Sequence, residues 1–301
     1  MVEMNRPAPR IVSAGRRTAG PLRLALASLT LPLALAVADG PMPTGQPAPV
    51  RLAERAVEAA GREKPGADAE VHPIEQARQL VAECKARFAK VSDYTCTFYK
   101  RERIGGDLTP LNVMTMKVRS SPWSIYFKFQ RPNKGREALY VSGRHGNKVQ
   151  AHDVGFGKLF AGTMSLDPHG SRAMSDNRHP ITEAGIGSLI ETVHASWGYG
   201  LHYGDTIVKI HPHSLVGERK CTMIETKHPT KYPRDLFYQV KLYIDQELGL
   251  PVRFEGYDWP KKKGQAPELL EEYTYADLKL NPGLHDSDFD ASNAHYSFGR
   301  F

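Results

Sequence analysis

The residues best placed to do chemistry in this 301-residue chain lie in Arg178-His179-Pro180-Ile181-Thr182-Glu183-Ala184-Gly185-Ile186-Gly187. A glycine inside a helix costs about 1 kcal/mol relative to alanine, so two of them at the start of an apolar helical pattern need a reason. One reason is an anion. A helix N-terminus offers free N–H groups and the positive end of its dipole, and glycine lets a ligand approach the backbone closely. Arg178 and His179 would add cationic donors for a phosphate or carboxylate. Arg178, His179, Gly185 and Gly187 are therefore an anion or headgroup candidate. The same types equally suit plain structure, with glycines admitting close helix-to-sheet packing and Arg178 paired with a carboxylate.

A second set is apolar. Met114 and Met116 share one face of an alternating run, and Trp123, Ile125, Phe127 and Phe129 share one face of the next. With Leu139 they could line a lipid-sized cavity, since ligand sites are mostly apolar with few polar groups. A solid core under helices has the same periodicity. Other chemistry finds little support. Gly135-Arg136-Glu137 reads as a structural ion pair at a strand entry, because one Glu without a second placed acid makes no hydrolase. His202, His211 and His213 could approach zinc, but no HExxH and no GxSxG occurs, so neither a metal nor a catalytic residue nor a cofactor is assigned. Lys261-Lys262-Lys263-Gly264 reads as a solvated hairpin tip, with attraction to an anionic membrane surface as the alternative. Cys84, Cys96 and Cys221 are too few and too widely spaced for a disulfide scaffold, leaving one bridge or three buried thiols.

The elements that must position these groups are mostly strands. The stretch 238–258 alternates as a β-hairpin around Gln246-Glu247-Leu248-Gly249, with Pro251 opening the return. Further strands are expected at 94–103, 113–119, 123–130, 137–142, 148–153, 206–211, 221–227 and 270–278. Short turns between them argue for an antiparallel meander. Two amphipathic helices should cover one face. One runs over 73–91 with Ile74, Ala77, Leu80, Val81, Cys84 and Phe88 inward, and the other over 182–196 with Thr182 as N-cap. The class is α+β.

Ahead of this domain, residues 1–38 read as a secretory signal peptide: Arg10, Arg16, Arg17 and Arg23 before an apolar run over 24–37, and Ala36-Val37-Ala38 as the cleavage site. Arg16-Arg17 admits a twin-arginine reading, and an uncleaved anchor is the other alternative. Removing this segment, with five Arg and one Glu, lowers the formal charge from +7 by 4 to +3. No basic stripe with aromatics remains to suggest nucleic acid. Residues 39–72, rich in Pro, Ala and Gly, read as a linker, and 73–301 as a single domain.

The closing stretch YIDQELGLPVRFEGYD, followed by EEYTYADLKLNPGLHDSDFD, resembles the LolA-like superfamily of lipoprotein carriers and envelope proteins. The segments RSSPWSIYFKFQRPNKGREALYVSG and RHPITEAGIGSLIE resemble the bacterial family labelled domain of unknown function 1571, over roughly residues 75–298. The resemblance implies a strongly curved antiparallel sheet, an open half-barrel, with helices packed across its concave face. It also implies an exported protein of the periplasm or cell envelope. The expectation is a non-enzymatic binder of a lipid or acylated ligand. The alternative is a structural or sensory module with an envelope protein partner.

Overall fold

The computed structural model describes residues 72–154, 162–202, 204–233 and 235–299. All of them fall within one compact unit, Pro65–Phe301. The expected signal peptide and nearly all of the expected linker lie outside the described residues.

Twelve strands form one antiparallel sheet that does not close on itself. They are β1 (Asp93–Ile104), β2 (Asp107–Leu108), β3 (Asn112–Arg119), β4 (Ser124–Arg131), β5 (Glu137–Val141), β6 (Val149–His152), β7 (Thr163–Leu166), β8 (Ile207–Val216), β9 (Arg219–Lys227), β10 (Gln239–Asp245), β11 (Pro251–Tyr257) and β12 (Leu269–Leu280). Their order is β7-β6-β5-β4-β3-β1-β12-β11-β10-β9-β8, with β2 paired to β1 alone. The chain thus meanders outward from β3 to one edge, then returns along β8–β12 so that β12 closes against β1. Register shifts interrupt the ladders at Thr95–Thr97, Val113–Met114, His211–Ser214, Tyr243–Ile244 and Gly256–Tyr257. Each such bulge bends its strand and increases the local twist.

Among the described residues three α-helices accompany the sheet: α1 (Pro73–Phe88), α2 (Ser171–Met174) and α3 (Ile186–Gly200). The apolar stripe of α1 is the one its spacing predicts, with Ile74, Ala77, Val81 and Cys84 buried. His72 caps its N-terminus by accepting from Ile74 N at 3.2 Å. The second helix starts later than Thr182 suggested. Thr182 lies in a separate 3-10 turn, Ile181–Glu183, and Gly185 (φ 109°) stands at the N-cap of α3. Ile186, Ile190, Val193 and Trp197 of α3 join the buried α1 residues and the facing strand residues in one core. A smaller cluster lies elsewhere, where Phe289, Tyr296 and Phe298 of the C-terminal segment cover Tyr126, Leu139 and Val141. No helix of the described residues is long and apolar enough to cross a membrane.

Candidate functional site

The apolar set splits between the two faces. Met114, Met116, Ile125 and Phe127 pack in the main core with the helices, at 0–7% exposure, and Trp123 and Phe129 pack half-buried against them. Leu139 does not share their face. It pairs with Tyr126, the residue between Ile125 and Phe127, and so belongs to the C-terminal cluster. Alternation fixes which residues of one strand share a face, but it leaves open how the next strand is registered against it.

Arg178 and His179 converge on two buried carboxylates. Glu102 of β1 and Glu271 of β12 sit directly opposite each other in the ladder, at 2% and 3% exposure. Glu271 Oε2 accepts from Arg178 Nε at 2.7 Å and lies 3.0 Å from His179 Nε2. Glu102 accepts from Lys100 Nζ at 2.8 Å, from Tyr273 Oη at 2.6 Å and from Arg178 N at 3.1 Å. Burial works to raise the Glu102 carboxyl, but Lys100 and these donors hold it below the usual carboxylate range. The Glu271 hydrogen bond, against the cost of burial, raises His179 above its ordinary value. The cluster clasps the segment before α3 to the sheet, and its carboxylates are already engaged.

The two glycines admit close packing. A Cβ at Gly185 would lie 2.7 Å from Tyr94 Oη, and one at Gly187 would lie 2.7 Å from Phe88 Cε1. The first N–H of α3, on Ile186, donates to Tyr94 Oη at 3.1 Å.

Sequence reasoning missed a groove of about 950 Å³ lined from β1, β11, β12, the β8–β9 and β10–β11 turns, and Leu111. Its apolar lining is Leu111, Val216, Leu248, Val252, Ala276 and Leu278, with Tyr99 and Tyr275 also bordering it. Its charged lining is Arg101, Arg219, Arg253 and Lys279 against Glu218, Glu272 and Asp277. Register shifts in β1, β11 and β12 help shape it, and Val252 occupies the extra position of the β10–β11 shift. Glu272 accepts from Arg101 Nε at 2.6 Å and Arg253 Nη2 at 2.7 Å, so one carboxylate fixes two guanidinium groups beside the groove. Arg219 is tied to Asp245, whose carboxyl stays below its ordinary value because Arg219 and the Leu248 and Glu247 N–H groups outweigh burial. No single segment carries this lining, so only the Arg, Glu and Tyr alternation of β1, β11 and β12 could have hinted at it.

The described residues contain no group of three or more His, Cys, Asp or Glu able to hold a metal ion. The cysteines are three separate buried thiols, and burial pushes Cys84 up to about 12.

Residues 91–298 match the family described as "Protein of unknown function (DUF1571)". The chain belongs to that family. No curated protein matches the sequence. Among solved structures, the DUF1571 chain is similar to the lipoprotein LppX of Mycobacterium tuberculosis, with 12% identity, 72% of this chain and 99% of that chain covered, and a TM-score of 0.42. It is similar to the MucA/MucB complex structure of Pseudomonas aeruginosa at 15% identity, 71% and 60% coverage, and a TM-score of 0.40. A LolA superfamily protein from Nitrosomonas europaea matches at 12% identity, 71% and 97% coverage, and a TM-score of 0.27. Likeness at this level decides nothing about function.

Proposed function

We propose that this chain is an exported, non-enzymatic protein of the bacterial cell envelope that holds the apolar part of a lipid or acylated ligand. The site is the groove lined by Leu111, Val216, Leu248, Val252 and Leu278. In this reading the sheet is a curved half-barrel with α1 and α3 across its concave face, a geometry supported by the bulged strands and by the shared helix–sheet core.

The groove is the observation that carries the proposal. Its volume of about 950 Å³ falls in the range of ligand sites, about 300–1,000 Å³, and its lining sets apolar side chains beside seven charged ones, so an acyl chain would lie along the apolar part and a polar headgroup against the charged part. Arg101 and Lys279 bring positive charge to the same wall for an acidic headgroup, while Arg253 is held by Glu255, Thr274 and Glu272. The tight packing of Met114, Met116, Ile125 and Phe127 supports placing the ligand here and not beneath the helices. Export rests on the N-terminal signal pattern. The saturated Glu102–Glu271 cluster supports binding without catalysis.

Fluorescent fatty-acid titration tests the proposal. Leu111 is 37% exposed, so Leu111→Asp should leave the fold intact, yet it removes a contact worth about 1.5–3 kcal/mol when buried by a ligand. We expect at least tenfold weaker uptake with an unchanged circular dichroism spectrum. Equal affinity in the folded variant would remove the groove from the proposal. A native chain that takes up no fatty acid would favour the second reading, an interaction module, which the filled inner face supports.

A further inference from the structure

At one end of the sheet, the register row Ile207–Lys227–Gln239–Tyr257–Leu269 marks where five strands stop and start together. Three loops leave the sheet there: 201–206, 228–238 and 258–268. The loops carry Leu236 at 54% and Leu201 at 37% exposure, and Ile207 at the start of β8 adds a third exposed apolar side chain at 46%. They also carry Lys231, Lys261, Lys262 and Lys263, all exposed. Trp259 anchors the group. Its indole Nε1 donates to the His228 carbonyl at 3.1 Å, and Lys231 Nζ lies 4.6 Å from its ring centroid.

The acids of these loops are turned to local duties. Asp205 accepts from Thr230 N at 3.2 Å, Asp235 from Tyr232 N at 3.0 Å and Asp258 from Trp259 N at 2.8 Å. Glu268 pairs with Lys261 at 2.9 Å. These acids keep their charges but stand half-buried, whereas Lys231, Lys262 and Lys263 are exposed and have no ion-pair partner among the described residues, so the outermost charges of this end are cationic and stand beside exposed apolar side chains and an indole. Protruding leucines, a half-buried tryptophan and a ring of lysines form the combination that an anionic phospholipid surface complements. The apolar tips enter the acyl boundary, indole settles at headgroup depth, and lysines keep their charges among the phosphates.

We infer that this end of the molecule docks on an anionic membrane surface, with Leu201, Ile207, Leu236 and Trp259 entering the interface and Lys231, Lys262 and Lys263 pairing with lipid phosphates. The site is separate from the groove and stands whether or not the groove binds a ligand.

The full chain is titrated with phosphatidylglycerol vesicles and, separately, phosphatidylcholine vesicles while Trp259 fluorescence is followed. Trp259→Phe serves as the blank for the other tryptophans. We expect a blue shift with phosphatidylglycerol alone, absent in Trp259→Phe and weakened by salt. Replacing Lys262 and Lys263 together by Ala should weaken vesicle affinity on the order of 25-fold, about fivefold per lysine. Leu236→Asp should weaken it independently. Because these side chains are exposed, the variants keep the native circular dichroism spectrum. An unshifted Trp259 spectrum, equal response to both lipids, or unchanged affinity in the double variant would overturn the inference. The Trp259 signal also separates this contact from any binding by the apolar run near the N-terminus.

Discussion

Arg178 and His179 illustrate how one residue pair answers two demands of very different range. The pair looks like a free anion site in isolation, yet both side chains find Glu271, a carboxylate nearly a hundred positions away on another strand. Nothing local in the sequence announces that carboxylate, because Glu271 sits in an ordinary Glu-Glu step of an alternating strand. The ion pair with His179 also makes a pH prediction. The folded-state value of His179 is raised, so its contribution is full below the unfolded value of about 6.5 and fades as pH rises through the folded value. His179 is 42% exposed at its side chain, which limits the effect to about 0.5–1 kcal/mol. Urea unfolding at pH 6 should therefore show His179→Gln less stable than the native chain by that amount, and the gap should narrow toward pH 8. A gap that stayed constant across this range would mean His179 acts by packing alone.

At the scale of elements, alternation was legible and termination was not. The expected strands at 94–103, 113–119 and 221–227 correspond closely to β1, β3 and β9, since a half-buried strand must repeat every two residues. The short β7 and the two-residue β2 went unseen because a few residues carry no period. The start of α3 was placed at Thr182 by cap preference, but tertiary contact decides it. Gly185 adopts φ 109°, which side-chain-bearing residues rarely do, and its missing Cβ leaves room for the Tyr94 hydroxyl that receives Ile186 N. Gly185→Ala should consequently cost about 1–3 kcal/mol from backbone strain, with the contact at Tyr94 adding to it. Chemical denaturation would measure this. If Gly185→Ala unfolds at the native midpoint, the glycine is there for some purpose other than the turn into α3. The groove was illegible for a related reason. Its lining comes from bulges and turns whose positions depend on register, and register is a property of strand pairs.

For the molecule as a whole, an open twelve-stranded sheet has two faces and two edges to manage. Helices α1 and α3 share one buried core with residues of β1, β3, β4 and β9–β12. At the β8 edge, Pro212 and the adjacent register shift blunt the row of unpaired backbone groups that would otherwise recruit another strand. The outer face of β3–β5 is covered by the C-terminal segment. Phe289 is fully buried, Tyr296 stacks on Tyr126 with ring centroids 4.1 Å apart, and Ser297 N donates at 2.8 Å to the buried Glu137. Lys117–Asp288 at 2.6 Å and Arg119–Asp286 at 2.7 Å fasten the segment from the sheet side. No residue of this strap lines the groove or belongs to the lysine-rich end, so its loss should act on stability and leave ligand and vesicle contacts in place. Phe289→Ala should cost about 3–5 kcal/mol, the usual range for a buried Phe cut to Ala, and removing residues 285–301 should cost more, because Tyr126, Leu139 and Val141 would then face water. An apolar dye should bind the truncated chain and not the native one. Native-like stability and no dye binding after truncation would mean the outer apolar patch is tolerated in solvent, and the strap would lose its assigned role.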